Sequence, residues 1–92
     1  MSSTLSKEEI FAIVQKHTIE VLPDLAKECI QIEKSLKDLG ANSIDRMEIV
    51  VLSMESMGIK SPLIELAEIK NLEGLINFFY KKLTLHKAEE LI

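Results

Sequence analysis

The sequence predicts an all-α protein: a four-helix bundle of three main helices and one short helix, with a long first loop. Apolar residues recur at helical spacing, in segments that open on capping residues. With 3 glycines, 2 prolines and 4 % aromatic residues, strands and hairpin turns find little support. A chain of 92 residues with 47 % hydrophobic content makes one small core rather than two domains. That domain is expected over residues 6–83, between a short tail at 1–5 and an extension at 84–92.

The first helix is expected to begin at Ser6. Ser6 and Glu9 have the S-x-x-E spacing of a capping box, in which serine takes a free N–H and glutamate reaches back. Ile10, Ile13, Val14 and Val21 keep helical spacing, with His17 and Thr18 filling the intervening turn. Pro23 stops the helix, because it pushes the preceding residue out of the helical region. The connector from Pro23 to Asn42 holds Leu25, Ile30, Ile32, Leu36 and Leu39. A connector of this length should hold a short helix or pack its leucines into the core. Packing is favoured, since Leu36 and Leu39 lie one helical turn apart. Gly40 then supplies a backbone free to turn sharply.

The second helix is expected from Ser43 to Met57, with Asn42 as N-cap and Asp45 three residues on. Met47, Val50, Val51 and Met54 form one row, while Ile49 and Leu52 fall on other faces. A helix apolar on more than one side is buried centrally or meets a partner with its second face. Gly58 ends it, and Pro62 starts a short segment containing Leu63, Ile64, Leu66 and Ile69. Asn71 looks like another N-cap. Leu72, Leu75, Ile76, Phe79 and Leu83 then give the cleanest amphipathic signal in the chain, and residues 84–92 extend this helix or fray.

Charge narrows the function classes. A formal net charge of −4 excludes a nucleic-acid module held mainly by phosphate contacts and a polybasic membrane anchor. No apolar run approaches a membrane span, and residues 1–9 lack the basic start and apolar stretch of a signal peptide. The lone Cys29 has no internal disulfide partner. The expectation is a small, acidic, cytoplasmic, monomeric domain.

Most catalytic constellations are absent. His17 and His86 lack any HExxH context and read as a helix face and a tail residue. Cys29 has no CxxC partner and reads as a small apolar residue. No phosphate-cradling glycine loop exists. Glu8, Glu9, Glu89 and Glu90 read as solvated helix ends, and no metal site is expected. One place remains, the run Asp38-Leu39-Gly40-Ala41-Asn42-Ser43-Ile44-Asp45. It sets a serine hydroxyl at a helix start, straight after a turn. Unpaired N–H groups and the positive end of the macrodipole favour a phosphate attached there. No histidine or lysine adjoins Ser43 to activate it as a nucleophile. The site therefore reads either as an acceptor of phosphate chemistry done by another enzyme or as a plain helix cap.

At these residues the sequence resembles the acyl carrier protein family. The family hallmark is a D-S-L-type motif, usually preceded by Leu-Gly, whose serine carries 4′-phosphopantetheine. Leu39, Gly40, Asn42, Ser43, Ile44 and Asp45 match it, and the resemblance runs on through Glu48, Val50 and Pro62 to the last helix, over roughly residues 6–83. It implies an acyl-carrier-protein-like bundle that is not itself an enzyme, with the arm on Ser43 and loaded by a phosphopantetheinyl transferase. The family's usual aspartate before the serine is Asn42 here. Arg46, Ser53, Met54 and Ser56 interrupt the acidic second helix, leaving Asp45, Glu48 and Glu55. Partner recognition is therefore expected along Ile44, Asp45, Arg46, Met47, Glu48, Val51 and Glu55. Apolar contact through Ile44, Met47 and Val51 leads, and ordinary core packing is the other reading of Met47 and Val51.

The string Asn42 to Ile49, with Ile64-Glu65-Leu66 and Lys70 to Leu75, is similar to the free-standing donor carriers of polyketide β-branching cassettes. That resemblance implies an antibiotic-type biosynthetic setting. The expected partners are an acyltransferase, a decarboxylating ketosynthase-like enzyme that leaves acetyl from malonyl, and a 3-hydroxy-3-methylglutaryl (HMG) synthase homologue that consumes the acetyl group. Ser61 and Leu63 depart from the subgroup, where an apolar and a basic residue are more usual. The competing readings are a fatty acid or amino-acid carrier, a helical adaptor without a prosthetic group, and, weakest, an acyl-group hydrolase.

Overall fold

The computed structural model describes residues 5–66 and 69–90, with side chains described as far as Thr84. Three α-helices carry the fold: α1 (Lys7–Val21), α2 (Ser43–Met57) and α3 (Leu72–Glu90). Short 3₁₀ turns lie at Lys27–Cys29 and Leu63–Leu66, and the described residues contain no strand. This is the expected four-helix arrangement, with the short fourth helix realised as the turn Leu63–Leu66.

Each helix end follows from local chemistry. Ser6 and Glu9 close the capping box at α1, with Glu9 N–H donating to Ser6 Oγ at 3.1 Å and Ser6 N–H to Glu9 Oε1 at 2.8 Å. The helix stops at Val21, two residues before Pro23. α2 stops at Gly58, whose φ of +70° only glycine adopts without strain. Gly58 N–H donates to Glu55 O at 3.3 Å and Ile59 N–H to Met54 O at 2.9 Å, which pairs carbonyls the helix leaves open.

α1 packs against both α2 and α3. The shared core holds Ile10 and Val14 from α1, Ile49, Val50 and Met54 from α2, and Leu72, Leu75, Ile76 and Phe79 from α3. Ile30, Leu36, Ala41 and Ile59 come in from the connecting segments. Leu36 is buried and Leu39 packs partly against the core, as their spacing predicts. The connector nonetheless also contains a 3₁₀ turn, so packing and local helix occur together.

Three expectations change. The expected row Met47, Val50, Val51 and Met54 splits: Val50 and Met54 are buried together with Ile49 and Ser53, while Val51 is half-buried and Met47 exposed. Rotating the helix this way buries Ile49 completely, at 0 % exposure, and turns Met47 out to 47 %. Ser53 is tolerated inside because its hydroxyl donates to Ile49 O at 2.8 Å. Cys29, read as a small apolar residue, is exposed, because it closes the 3₁₀ turn and the next residue, Ile30, takes the inward position. His17 is more than a face residue: it is buried between α1 and α2, its ring nitrogens pairing with Glu20 Oε1 and Ser56 Oγ at 2.7 Å each. The side chains of His86, Glu89 and Glu90 lie outside the described residues, as does the tail before Leu5.

The middle of the connector is tied to both α1 and α3. Gln15 Nε2 donates to Ile30 O at 3.2 Å. Leu72 N–H donates to Lys34 O and Glu73 N–H to Ile32 O, both at 2.8 Å. Those two amides belong to the first turn of α3 and have no acceptor within their own helix. Asn71 Oδ1 takes a third, that of Gly74, at 2.9 Å.

Phe79, fully buried at the helix junction, should be the costliest core truncation: Phe79→Ala is expected to lose about 3–5 kcal/mol. Gly58→Ala, in open space but at positive φ, should lose only about 1 kcal/mol. Urea denaturation of the two variants beside the parent protein checks both values and their order.

Candidate functional site

The site is built by the turn that precedes α2. Ser35 and Asp38 cap each other reciprocally, Asp38 N–H donating to Ser35 Oγ at 3.0 Å and Ser35 N–H to Asp38 Oδ2 at 3.2 Å. Gly40 N–H donates to Lys37 O and Ala41 N–H to Leu36 O, each at 3.0 Å, and Gly40 sits at φ +99°. Ala41 is buried at 3 % exposure, which anchors the chain to the core one residue before the α2 cap. Asn42 then closes a capping box with Asp45: Asp45 N–H donates to Asn42 Oδ1 at 2.8 Å and Asn42 N–H to Asp45 Oδ2 at 3.2 Å. Asparagine thus keeps the capping function that an aspartate would serve at this position.

Ser43 is the first residue of α2 and is exposed. Its hydroxyl stands at the open end of the helix, where the free amides and the macrodipole favour negative charge. The ionic group hydrogen-bonded to it is Arg46, one turn on, whose Nη2 donates to Ser43 Oγ at 3.3 Å and whose Nη1 donates to Ala41 O at 2.9 Å. Guanidinium stays protonated, so Arg46 is no general base. His17 lies against Ser56, at the opposite end of α2 and about 20 Å away at 1.5 Å per residue. An exposed hydroxyl, a helix N-terminus and a cation suit a covalently attached phosphate, and among the described residues no histidine or lysine is hydrogen-bonded to Ser43 to make it a nucleophile. Among the described residues no three His, Cys, Asp or Glu side chains gather as metal ligands.

The other expected site residues divide. Ile44, at 71 % exposure, and Met47 present apolar surface, with Glu48 and Glu55 exposed on the same helix. Val51 is half-buried against the core, Asp45 is engaged in the capping box, and Arg46 is half-buried and held by its two bonds. Two apolar residues of the short segment after Pro62, Leu63 at 41 % and Ile64 at 80 %, are exposed on the 3₁₀ turn, which the sequence pattern did not indicate. Glu65 fastens that turn to α3, accepting from Ser61 Oγ at 2.6 Å and pairing with Lys82 Nζ at 3.1 Å. Between α2, the connector, this turn and α3 lies a groove of about 580 Å³, lined by Leu36, Val50, Leu66, Leu72 and Leu75, with Arg46 and Met47 among its walls. Contact between Arg46 and Ser43 was open to sequence reasoning, since residues i and i+3 are neighbours on a helix. The groove was not, because it is assembled from four separate segments.

No protein-family model matches the chain. A polyketide biosynthesis acyl-carrier protein of Bacillus subtilis (strain 168), AcpK, is 37 % identical over 78 residues, covering 85 % of this chain and 95 % of that protein. A solved structure described as the curacin biosynthetic pathway HMG synthase in complex with acetyl donor acyl carrier protein includes a chain 38 % identical to this one. It superposes with a TM-score of 0.78, covering 85 % of this chain and all of that one. The chain belongs to the acyl carrier proteins, a family whose members carry a phosphopantetheine arm and are generally non-catalytic. Within that family it is similar to a carrier of polyketide biosynthesis and to an acetyl donor carrier. Among the described residues no helix is long and apolar enough to cross a membrane.

Two predictions follow from this geometry. Asn42→Ala should cost about 1 kcal/mol in denaturant unfolding, whereas Asn42→Asp should stay within about 0.5 kcal/mol of the parent, since aspartate caps as well. The Ser35 backbone N–H, then its hydroxyl, hold the Asp38 carboxyl below its ordinary value of 3.8. A carboxyl depressed by folding binds fewer protons folded than unfolded, so its contribution is present above 3.8 and lost as pH falls through the folded value. Ser35→Ala should therefore move the Asp38 titration, followed by NMR, upward toward 3.8.

Proposed function

We propose that this chain carries an acetyl or malonyl group as a thioester on 4′-phosphopantetheine attached to Ser43, over a carrier domain of residues 6–83. The observation that carries the proposal is the exposed Ser43 hydroxyl on the capped tip of α2, inside the motif of a family whose members bear that arm. Bound there, the arm supplies a thiol for the thioester. The chain's own part is to hold the attachment point rigidly, through Asn42, Asp45 and buried Ala41, while exposing it to a modifying enzyme. Tethering raises the effective concentration of the acyl group at each enzyme that docks the bundle. In this reading no bond-making falls to the protein, in keeping with a family that is generally non-catalytic.

The partner supported best is an HMG synthase homologue, with this chain as acetyl donor, because the structural relative is a donor carrier in complex with such an enzyme. A phosphopantetheinyl transferase, an acyltransferase and a decarboxylating ketosynthase-like enzyme complete the set, acting on a cytoplasmic, monomeric carrier. Docking through Ile44 and Met47 fits their exposure, with Glu48 and Glu55 supplying charge at the edge. Asp45 and Arg46 are committed to local bonds and serve docking less directly.

Incubation with coenzyme A and a promiscuous phosphopantetheinyl transferase should add one arm to the native protein and none to Ser43→Ala, read by intact mass. Equal gain in both, or none in either, overturns the attachment. With the acetylated holo protein, transfer to a β-branching synthase should exceed use by fatty acid elongation enzymes, and the reverse order removes the donor role. Ile44→Ala should weaken synthase binding about tenfold, the scale of one buried apolar anchor, with the fold unchanged by circular dichroism.

A further inference from the structure

The attachment serine is not alone at the helix tip. Arg46 is the sole cation in hydrogen-bond contact with it among the described residues, and the guanidinium is already held in place. Its Nη1 is anchored to Ala41 O at 2.9 Å, and Ala41 is itself buried, so one arm of the planar fork is fixed to the core. The other arm, Nη2, donates to Ser43 Oγ at 3.3 Å. The contact is long for a charge-assisted bond, whose usual span is about 2.7–2.9 Å. A neutral hydroxyl makes poor use of it. The one carboxylate on the same turn, Asp45, is turned back to Asn42 N–H at 3.2 Å.

We infer that Arg46 is a positioning residue for the phosphodiester on Ser43: anchored through Ala41, it holds the phosphate end of the arm against the first turn of α2. The inference rests on attachment of the arm at Ser43. Esterification turns Oγ into a bridging oxygen, a weaker acceptor than the hydroxyl it replaces. It also brings a full negative charge on the two non-bridging oxygens, one bond beyond phosphorus. The Nη2 hydrogens that touch Oγ then face the strongest acceptor in the neighbourhood, and a charge-assisted guanidinium–phosphate bond is shorter and stronger than one to a neutral hydroxyl. Because Ala41 has already fixed the guanidinium, little side-chain freedom is left to lose on pairing. The open amides of Ser43 and Ile44, the first two of the helix, add dipolar attraction in the same place. The consequence is a restrained root and a free end: the phosphate is held while the thiol end of the arm stays mobile.

A second role for Arg46 competes with this one. The side chain could serve only to staple the turn at Ala41 to α2, whether or not an arm is present. The two roles separate in a comparison of apo and holo protein. On conversion of the native chain to the holo form, confirmed by mass, the Arg46 guanidinium NMR signals should shift and their exchange with water should slow. The phosphorus resonance should also differ from that of the arm on an unfolded chain, and 1 M NaCl, where screening acts over about 3 Å, should reduce the difference. The folding equilibrium of the holo form should exceed that of the apo form by about two- to fivefold, the range of a half-exposed ion pair. Arg46→Gln should abolish the phosphorus shift and the holo gain, and Arg46→Lys should restore only part of each.

Guanidinium signals unmoved by modification, with equal stability losses of Arg46→Gln in apo and holo forms, would show a staple alone and overturn the inference. A native chain that gains no mass at all, or gains it elsewhere than Ser43, fails at the earlier step and removes the attachment reading with it. A mass gain at Ser43 with silent Arg46 removes the positioning role and leaves the carrier assignment standing.

Discussion

The first-turn amides of a helix have no acceptor inside that helix, and finding one for them organises this molecule. At α2 the acceptor is Asn42, with Asp45 returning the bond to the cap residue's own amide. At α3 the acceptors are Asn71 and, from far away in sequence, the carbonyls of Ile32 and Lys34. The second arrangement turns a long connector into structure. Its backbone is hydrogen-bonded to α3, its Ile30 carbonyl is held by Gln15 of α1, and its Ile30, Leu36 and Ala41 side chains enter the core. A loop fixed this way delivers Asn42 and Ser43 to a defined place.

That placement explains how a carrier combines rigidity with reach. The bundle core stops one residue short of the cap, at buried Ala41, and the next two residues are exposed. Ser43, the proposed attachment point, therefore inherits the positional order of the core without its burial. Polar bridges at the other end of α2 serve a different purpose. His17 links Glu20 to Ser56 across the α1–α2 contact, and the internal bonds of Thr18 and Ser53 satisfy hydroxyls that burial would otherwise penalise. No buried side-chain nitrogen or oxygen among the described residues lacks a partner.

The surface beside the serine is mixed in character. Ile44, Met47, Leu63 and Ile64 expose apolar area on two adjoining elements, while Glu48 and Glu55 keep the helix acidic. In a docked complex of the proposed kind, apolar contact there would supply energy and charge the orientation. The turn that bears Leu63 and Ile64 is held to α3 by the Glu65–Lys82 pair, with Ser61 adding a bond to the same carboxylate. Of the two departures from the donor subgroup, Leu63 thus lies on the exposed face of this turn, and Ser61, two residues before it, takes part in its fastening.

Sequence by itself determined what depends on neighbours three or four residues apart. The caps at Ser6, Asn42 and Asn71, the stop at Gly58, the span Ser43–Met57 and the inward stripe of α3 are all local relations, fixed by helix geometry and by which side chains reach a nearby amide. The motif around Ser43 is local too, so the serine stood out before any fold was known. Tertiary structure alone decided which face of α2 turns inward, because Ile49 and Met47 are both apolar and packing against α1 and the shared core chooses between them. It also decided that connector carbonyls cap α3, that Cys29 and Ile64 meet solvent, and that a groove opens beside Arg46. Each of these joins residues remote along the chain, and periodicity within one segment holds no record of what another segment will cover.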